Sequence, residues 1–320
     1  LNITLIFVLL FFFRTEDQIL VSNYLSFSVS LAGILQVIWM YYSLRKNGSY
    51  LFLNFSPKKL FNRTKENSKF FKLLLPAIIG NGAYQLNLLI DMILASILPD
   101  GSISYLYYAD RINQLPLGVL GIAISTALLP LLSKQVKNNE KLKANNSISR
   151  SIKFGILFSI PSFVGLLILS NEIVSLLFYR GAFQLNDVEL TGLALSALAC
   201  GLPAFIMIKV LVVPFFANED TKTPIKISLI CMLINLILNI ILIRDYQHVG
   251  LAISTSISAW VNVILLGYIL KKKLKYKFDS SIFIVFLKVG IASLIMAFAV
   301  LKVLDLGITN FSGYVFFDND

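Results

Sequence analysis

Apolar runs alternate with short polar joints along almost the whole chain. The runs cover 1–13, 22–44, 70–98, 103–132, 154–170, 188–216, 225–243, 250–270 and 281–304. A membrane-spanning helix needs about 20 apolar residues. The first run makes only about 20 Å of helix, too short to cross; each of the others is long enough. Backbone in lipid must satisfy its own hydrogen bonds, which favours helices. A β-barrel would instead show alternating strands of about ten residues. The stretch 172–183 reads as interfacial, with Tyr179, Arg180 and Gly181 forming a turn. The pattern therefore predicts an all-α polytopic membrane protein with about nine spans, the first incomplete. Leu1 opens in mid-run without an initiating methionine, which reads as a fragment of a longer protein.

Composition sharpens this picture. Hydrophobic residues make up 57% of the 320 and charged residues 14%, with a mean hydropathy of +0.79. A soluble domain carries about 25% charged residues, so a soluble enzyme, a disordered chain and a coiled coil are excluded. Cys200 and Cys231 sit in apolar runs, and His248 is the single histidine. Zinc, haem and Cys/His catalytic schemes therefore find no ligand set. No phosphate-binding glycine loop and no Ser/His/Asp constellation occurs, so no cofactor and no catalytic residue is expected.

The net charge of +11 changes meaning once the charges are placed. Joints alternate in side as the chain crosses the membrane. One side holds 45–69, 133–153, 218–226 and 271–277, with 20 Lys and Arg; the other holds only Arg14, Arg180 and Arg244. The positive-inside rule puts the basic joints in the cytoplasm. The charge then serves topology and contact with anionic headgroups, not nucleic acid.

Charges inside spans are costly and mark cavities or partners. Lys72, Lys288 and Lys302 lie near span ends and can snorkel. Lys209 lies about two turns from its cytoplasmic end; snorkelling is favoured, with a secondary cavity role open. Arg111 lies about 12 Å inside its helix and cannot easily reach either headgroup layer. It shares a helical face with Ser104, Tyr107, Tyr108, Gln114 and Gly118. The preceding helix carries its own polar stripe, Asn81, Tyr84, Asn87 and Asp91. The short joint 99–102 makes the two an antiparallel hairpin, with Asp91, Asp110 and Arg111 at similar depth. An Asp91–Arg111 contact across it would be a packing ion pair. Otherwise these residues wall a polar cavity whose cation takes an anionic substrate. Arginine suits phosphate because its fork donates two parallel hydrogen bonds. Pro76, Pro116, Pro161, Pro203 and Pro214 predict kinks. Asn235 and Asn239, at i and i+4, fit a lock between helices better than a cavity wall.

Several of these stretches are familiar together. Leu75-Pro76-Ala77-Ile78-Ile79-Gly80 is followed by Tyr108-Ala109-Asp110-Arg111-Ile112-Asn113-Gln114-Leu115-Pro116-Leu117-Gly118. Later come Leu177-Phe178-Tyr179-Arg180-Gly181-Ala182-Phe183 and Asp220-Thr221-Lys222-Thr223-Pro224. This set resembles the MurJ/MviN family, lipid II flippases of the MOP exporter superfamily, over nearly the whole chain. The resemblance implies a MOP/MATE-like fold of fourteen helices, with two six-helix lobes around a cavity and two C-terminal helices. This chain would supply helices five to thirteen: 1–69 the end of the first lobe, 70–270 the second lobe, 271–320 the tail-groove helix and a polar end. It further implies that lipid II is flipped across the bacterial inner membrane by alternating access, without bond-making chemistry. Arg111 falls on the family's cavity arginine, taken to meet pyrophosphate. Asp110, Asp91, Tyr108, Gln114, Asn87 and Tyr84 are the accompanying cavity candidates. Some members carry a carboxylate where Gln114 stands, which puts proton handling there in doubt. The expected partners are lipid II and membrane lipids; the coupling ion is left open. Two rivals remain: another MOP-type flippase or drug exporter, and a truncated membrane fragment that transports nothing.

Overall fold

The computed structural model describes residues 18–46 and 87–311. The run 1–13, Pro76, Asn81, Tyr84 and most of the joint 45–69 lie outside the described residues. The chain divides into two units, Leu1–Ser68 and Lys69–Asp320. The first contributes helix α1 (Gln18–Lys46), which ends on Arg45 and Lys46. Basic residues in the last turn complement the negative end of the helix dipole. Its apolar side chains, Trp39 and Ile38 among them, are largely exposed.

The second unit is entirely helical among its described residues. Helix α2 (87–95) leads through a tight turn into α3 (Ser102–Pro116). Gly101 occupies that turn with φ 93°, against the ring of Tyr105. A side chain there would meet both the ring and the left-handed backbone penalty. A π-helical stretch (Leu117–Ile122) joins α3 to α4 (Ala123–Lys137). Pro116 has no N–H to donate, so the hydrogen-bond ladder is interrupted there and resumes at wider spacing. Then follow α5 (Lys141–Ile168), the short α6 (Ser170–Phe178), α7 (Leu185–Ala217), α8 (Lys222–Lys273) and α9 (Ser280–Phe311).

Six described helices are long and apolar enough to cross a membrane. One of these, α8, has 52 residues and is broken at Gln247 (φ 49°, ψ −130°). Its two arms fold back on each other. Asn235 meets Thr255, and Ser254 donates to Asn239. Near the turn, a Cβ on Gly250 would strike the Leu242 carbonyl. The predicted runs 225–243 and 250–270 are thus the two arms of one hairpin. The expected long basic loop 133–153 is corrected: α4 continues to Lys137 and α5 begins at Lys141. These basic residues ride on helix extensions, where lysine is a good helix former.

Helix α7 is the axis of the unit. It opens with a capping box, in which the Gln184 N–H donates to Asp187 (2.8 Å) and the Gln184 side chain takes the Asp187 N–H. Two apolar clusters share it. One gathers Ala109, Ile112, Val174 and Ala252 around Val188–Leu198; the other gathers Leu132, Ile148, Ile152, Ile227, Leu266 and Tyr276 around Met207–Phe215.

The side carrying the basic joints is fastened by polar contacts. Lys273, at the end of α8, reaches Asp220 (2.6 Å) before its start, and Asp220 also accepts from the Thr223 hydroxyl (2.6 Å) and backbone N–H (3.2 Å). Burial pushes the Asp220 carboxyl up, but Lys273 and Thr223 outweigh it and hold it below the usual carboxylate range. The α8–α9 joint is pinned to α5 by Tyr276, buried and 2.7 Å from the Ser149 hydroxyl. Beside it, Ser281 and Lys153 hold the Asp279 carboxyl down at about 2.

A depressed carboxyl stabilises the fold above its unfolded pKa of about 4, and this is lost as pH falls through the folded value. Lys273→Ala should therefore cost about 0.5–1 kcal/mol at pH 7. Thermal unfolding of the detergent-solubilised protein at pH 7 and pH 3 should show the difference from wild type shrinking in acid. A difference independent of pH would contradict the clasp.

Candidate functional site

Helix α3 presents one exposed face, carrying Ile103, Ser104, Tyr107, Arg111 and Leu115. Its other face, with Tyr105, Ala109, Ile112 and Asn113, is buried. A period of three to four separates the two, as expected for a helix packed on one side. Arg111 lies over the Tyr107 ring, its guanidinium carbon 4.7 Å from the centroid. One of its nitrogens is 3.5 Å from Gln114 Oε1. Gln114 donates its amide to Asp110, which is half-buried. Asp110, Arg111, Gln114 and Tyr107 thus form one local group.

Asp91 belongs elsewhere. The Asn239 amide donates to it at 2.7 Å and the Asn87 amide at 3.2 Å. Asn239 also donates to Asn235 (3.0 Å) and accepts from Ser254, and Asn235 donates to Thr255 (3.2 Å). The network ties α2 to both arms of α8. An Asp91–Arg111 pair, open on depth alone, is not formed: Asp91 on α2 is taken by Asn239 of α8, while the Arg111 face of α3 points outward. The i, i+4 asparagines act as the expected lock. Oxygen from one carboxylate, two carboxamides and two hydroxyls is the donor type hard cations take. Among the described residues, no three His, Cys, Asp or Glu side chains gather for a metal.

The remaining candidates separate. Tyr108 turns from the Arg111 face into an aromatic cluster, 4.5 Å from Phe178 and 5.6 Å from Phe183. Lys209 is exposed on α7, its aliphatic stem against Gly121 in the π-helical stretch. Lys302 lies near the Phe298 ring (5.9 Å). His248 is buried at the start of the second α8 arm. Its Nε2 is 3.0 Å from the Leu190 carbonyl and its ring 5.4 Å from Tyr105. Sequence reasoning missed three features. The hold of Tyr107 on Arg111 was signalled by their i, i+4 spacing. The π-helical stretch was signalled by Pro116 with Gly118 and Gly121. The reach of Asp91 to Asn239, 148 positions away, carried no local signal.

Long apolar helices packed around an axis and a broken hairpin helix locked by polar side chains define a multi-pass, all-helical membrane protein. The model of the family "Lipid II flippase MurJ" matches residues 1–317, and the chain belongs to that family. It is 39% identical over 281 residues to a probable lipid II flippase MurJ of Rickettsia prowazekii, covering 87% of this chain and 53% of that one. It is 37% identical to the Haemophilus influenzae counterpart, covering 86% and 54%. A solved structure of lipid II flippase MurJ in an inward closed conformation matches with TM-score 0.73 and 29% identity, over 99% of this chain and 60% of that one. A MATE multidrug transporter of the MOP superfamily matches with TM-score 0.57 at 18% identity, over 74% of this chain and 55% of that one; that likeness shows the fold alone. The chain spans about half the length of the curated relatives it matches.

The Asp91 lock generates a stability prediction. Asn239→Leu leaves the half-buried Asp91 carboxylate without its nearest donor and should cost about 1–3 kcal/mol. Asp91→Leu combined with Asn239→Leu should recover part of it, because no carboxylate is then orphaned, while Asn235 and Ser254 still lose Asn239. Thermal unfolding of the solubilised protein checks both; a single variant as stable as wild type would refute the lock.

Proposed function

We propose that the complete protein containing this chain moves lipid II, the polyprenyl-diphosphate-linked cell-wall precursor, across the bacterial inner membrane. The observation carrying this reading is Arg111: an exposed guanidinium on the open face of a transmembrane helix, with no carboxylate within ion-pair distance among the described residues. A cation in a span needs a partner or a polar cavity. An unpaired fork in a flippase family suits the diphosphate of the substrate. Family membership supports the substrate, and the curated relatives carry the same description.

In this reading the lobe described above is one wall of a central cavity, and the preceding helices of the complete protein form the other. The head group enters from the cytoplasm, Arg111 takes the diphosphate, and the lobes rock to open the cavity outward. The polyprenyl tail stays in lipid. Nothing is bonded or cleaved, so the protein is a transporter and not an enzyme. The basic segments 45–69, 133–153, 218–226 and 271–277 lie in the cytoplasm, as their charge requires. Nine of fourteen helices fall in this chain. Gln114 and Tyr107 support Arg111, and Gln114 also engages Asp110; Asn87 and Asp91 hold the lobe together behind the cavity.

In the complete protein, Arg111→Ala should abolish lipid II translocation while leaving expression and insertion intact. Arg111→Lys should retain a fraction, since an ammonium lacks the fork. Lys209→Ala should leave translocation near wild type if its ammonium only snorkels. A lipid II accessibility assay in cells depleted of the native flippase reads all three. Full export by a well-expressed Arg111→Ala protein would overturn the proposal.

A further inference from the structure

We infer that Tyr107 and Gln114 are positioning residues that hold the Arg111 fork open for phosphate, Tyr107 by supporting its face and Gln114 by keeping Asp110 off its edge. The inference rests on the diphosphate reading of Arg111 above.

The geometry separates the two sides of the guanidinium. Its Cζ lies over the Tyr107 ring, 4.7 Å from the centroid. A π face attracts a cation without using any of its N–H groups. A carboxylate would instead take those N–H groups, two at a time, and occupy the donors phosphate needs. The nearest carboxylate in sequence is Asp110, and it is engaged by the Gln114 amide. The Gln114 carbonyl oxygen then stands 3.5 Å from one Arg111 nitrogen. One side chain thus faces Asp110 with its donor and Arg111 with its acceptor. An acid at position 114 could not donate to Asp110, and an aliphatic residue there would do neither.

Tyr107 is itself supported. Its ring stands edge-on to Tyr108, 6.1 Å between centroids, and Tyr108 packs on Phe178 and Phe183. The aromatic series runs from the α6–α7 joint to the guanidinium. Arginine has much rotamer freedom to lose on binding, and a side chain already held in place loses less when the ligand arrives. Tyr107 is half exposed at 52%, so its replacement should spare the fold.

The test uses the complete protein in nanodiscs and two probes, undecaprenyl diphosphate and undecaprenol. Tyr107→Leu should weaken binding of the diphosphate about fivefold to tenfold and leave undecaprenol binding unchanged. Tyr107→Phe, which keeps the π face, should restore diphosphate affinity to within about twofold of wild type. Gln114→Leu should also weaken the diphosphate, and Asp110→Asn in that background should recover it. A merely structural role would shift both probes together and would not be rescued by Asp110→Asn. Unchanged diphosphate affinity in Tyr107→Leu, or an equal loss in Tyr107→Phe, overturns the inference. Arg111→Ala separates the levels: if it binds the diphosphate normally, the parent reading fails. If only Arg111→Ala loses binding, Arg111 keeps its role and the positioning claim falls.

Discussion

Almost every helix of the second unit rests on α7. Its residues from Thr191 to Phe215 are buried on nearly all sides, and both apolar clusters are built around it. In lipid there is little hydrophobic drive to bring helices together, so association depends on close packing and on internal hydrogen bonds. Helix α7 meets this with small residues at contact points. Gly201 lies against Ser256 and Phe205, and Ser256 donates to the Ala197 carbonyl (2.6 Å). Trp260 donates to the Cys200 carbonyl (3.0 Å). With the axis fixed, α3 can bury only one side, and the Arg111 face is the side left over.

The polar side chains then sort by what surrounds them. Three that face α7 or the α8 hairpin find partners within the unit: Asp91 with Asn239, Tyr105 with Asp187 (2.7 Å), His248 with the Leu190 carbonyl. Arg111 has a ring and an amide but no counter-charge within ion-pair distance among the described residues. A buried pair would have served packing; a cation held by neutral groups keeps its donors available. This contrast sets Asp91, a packing group, apart from Arg111, the residue proposed to meet substrate. The clasp of Lys273 on Asp220 and the Tyr276 pin close the end that carries the basic joints, so α3 stands on a braced frame.

Much of this was legible in the sequence because lipid imposes one-dimensional rules. Run length marks the spans, and the break at Gln247 falls between two predicted runs. Helical spacing placed Arg111 on a polar stripe with Ser104, Tyr107 and Gln114 and cast Asn235 and Asn239 as a lock. Long-range pairing was not legible. Asp91 sits at a depth compatible with Arg111, and only the packing of α2 against α8 decides for Asn239. Tyr108 has the spacing of the polar stripe, yet its ring turns toward Phe178 and Phe183, because stacking there outweighs one position of helical phase. The joint 133–153 looked like a loop from its charge, although its lysines favour helix. The π-helical stretch had local signs in Pro116, Gly118 and Gly121, but periodicity alone does not weigh them.

Whether the open face of α3 meets substrate or bulk lipid is the question on which the account turns. A photo-crosslinking amino acid in place of Leu115, which is 68% exposed one turn from Arg111, answers it directly in the complete protein within living membranes. The account predicts that illumination captures lipid II, and that excess undecaprenyl diphosphate suppresses the capture. Crosslinks to ordinary phospholipids alone would show that this face looks into the bilayer, and the assignment of Arg111 to the transport cavity would be wrong.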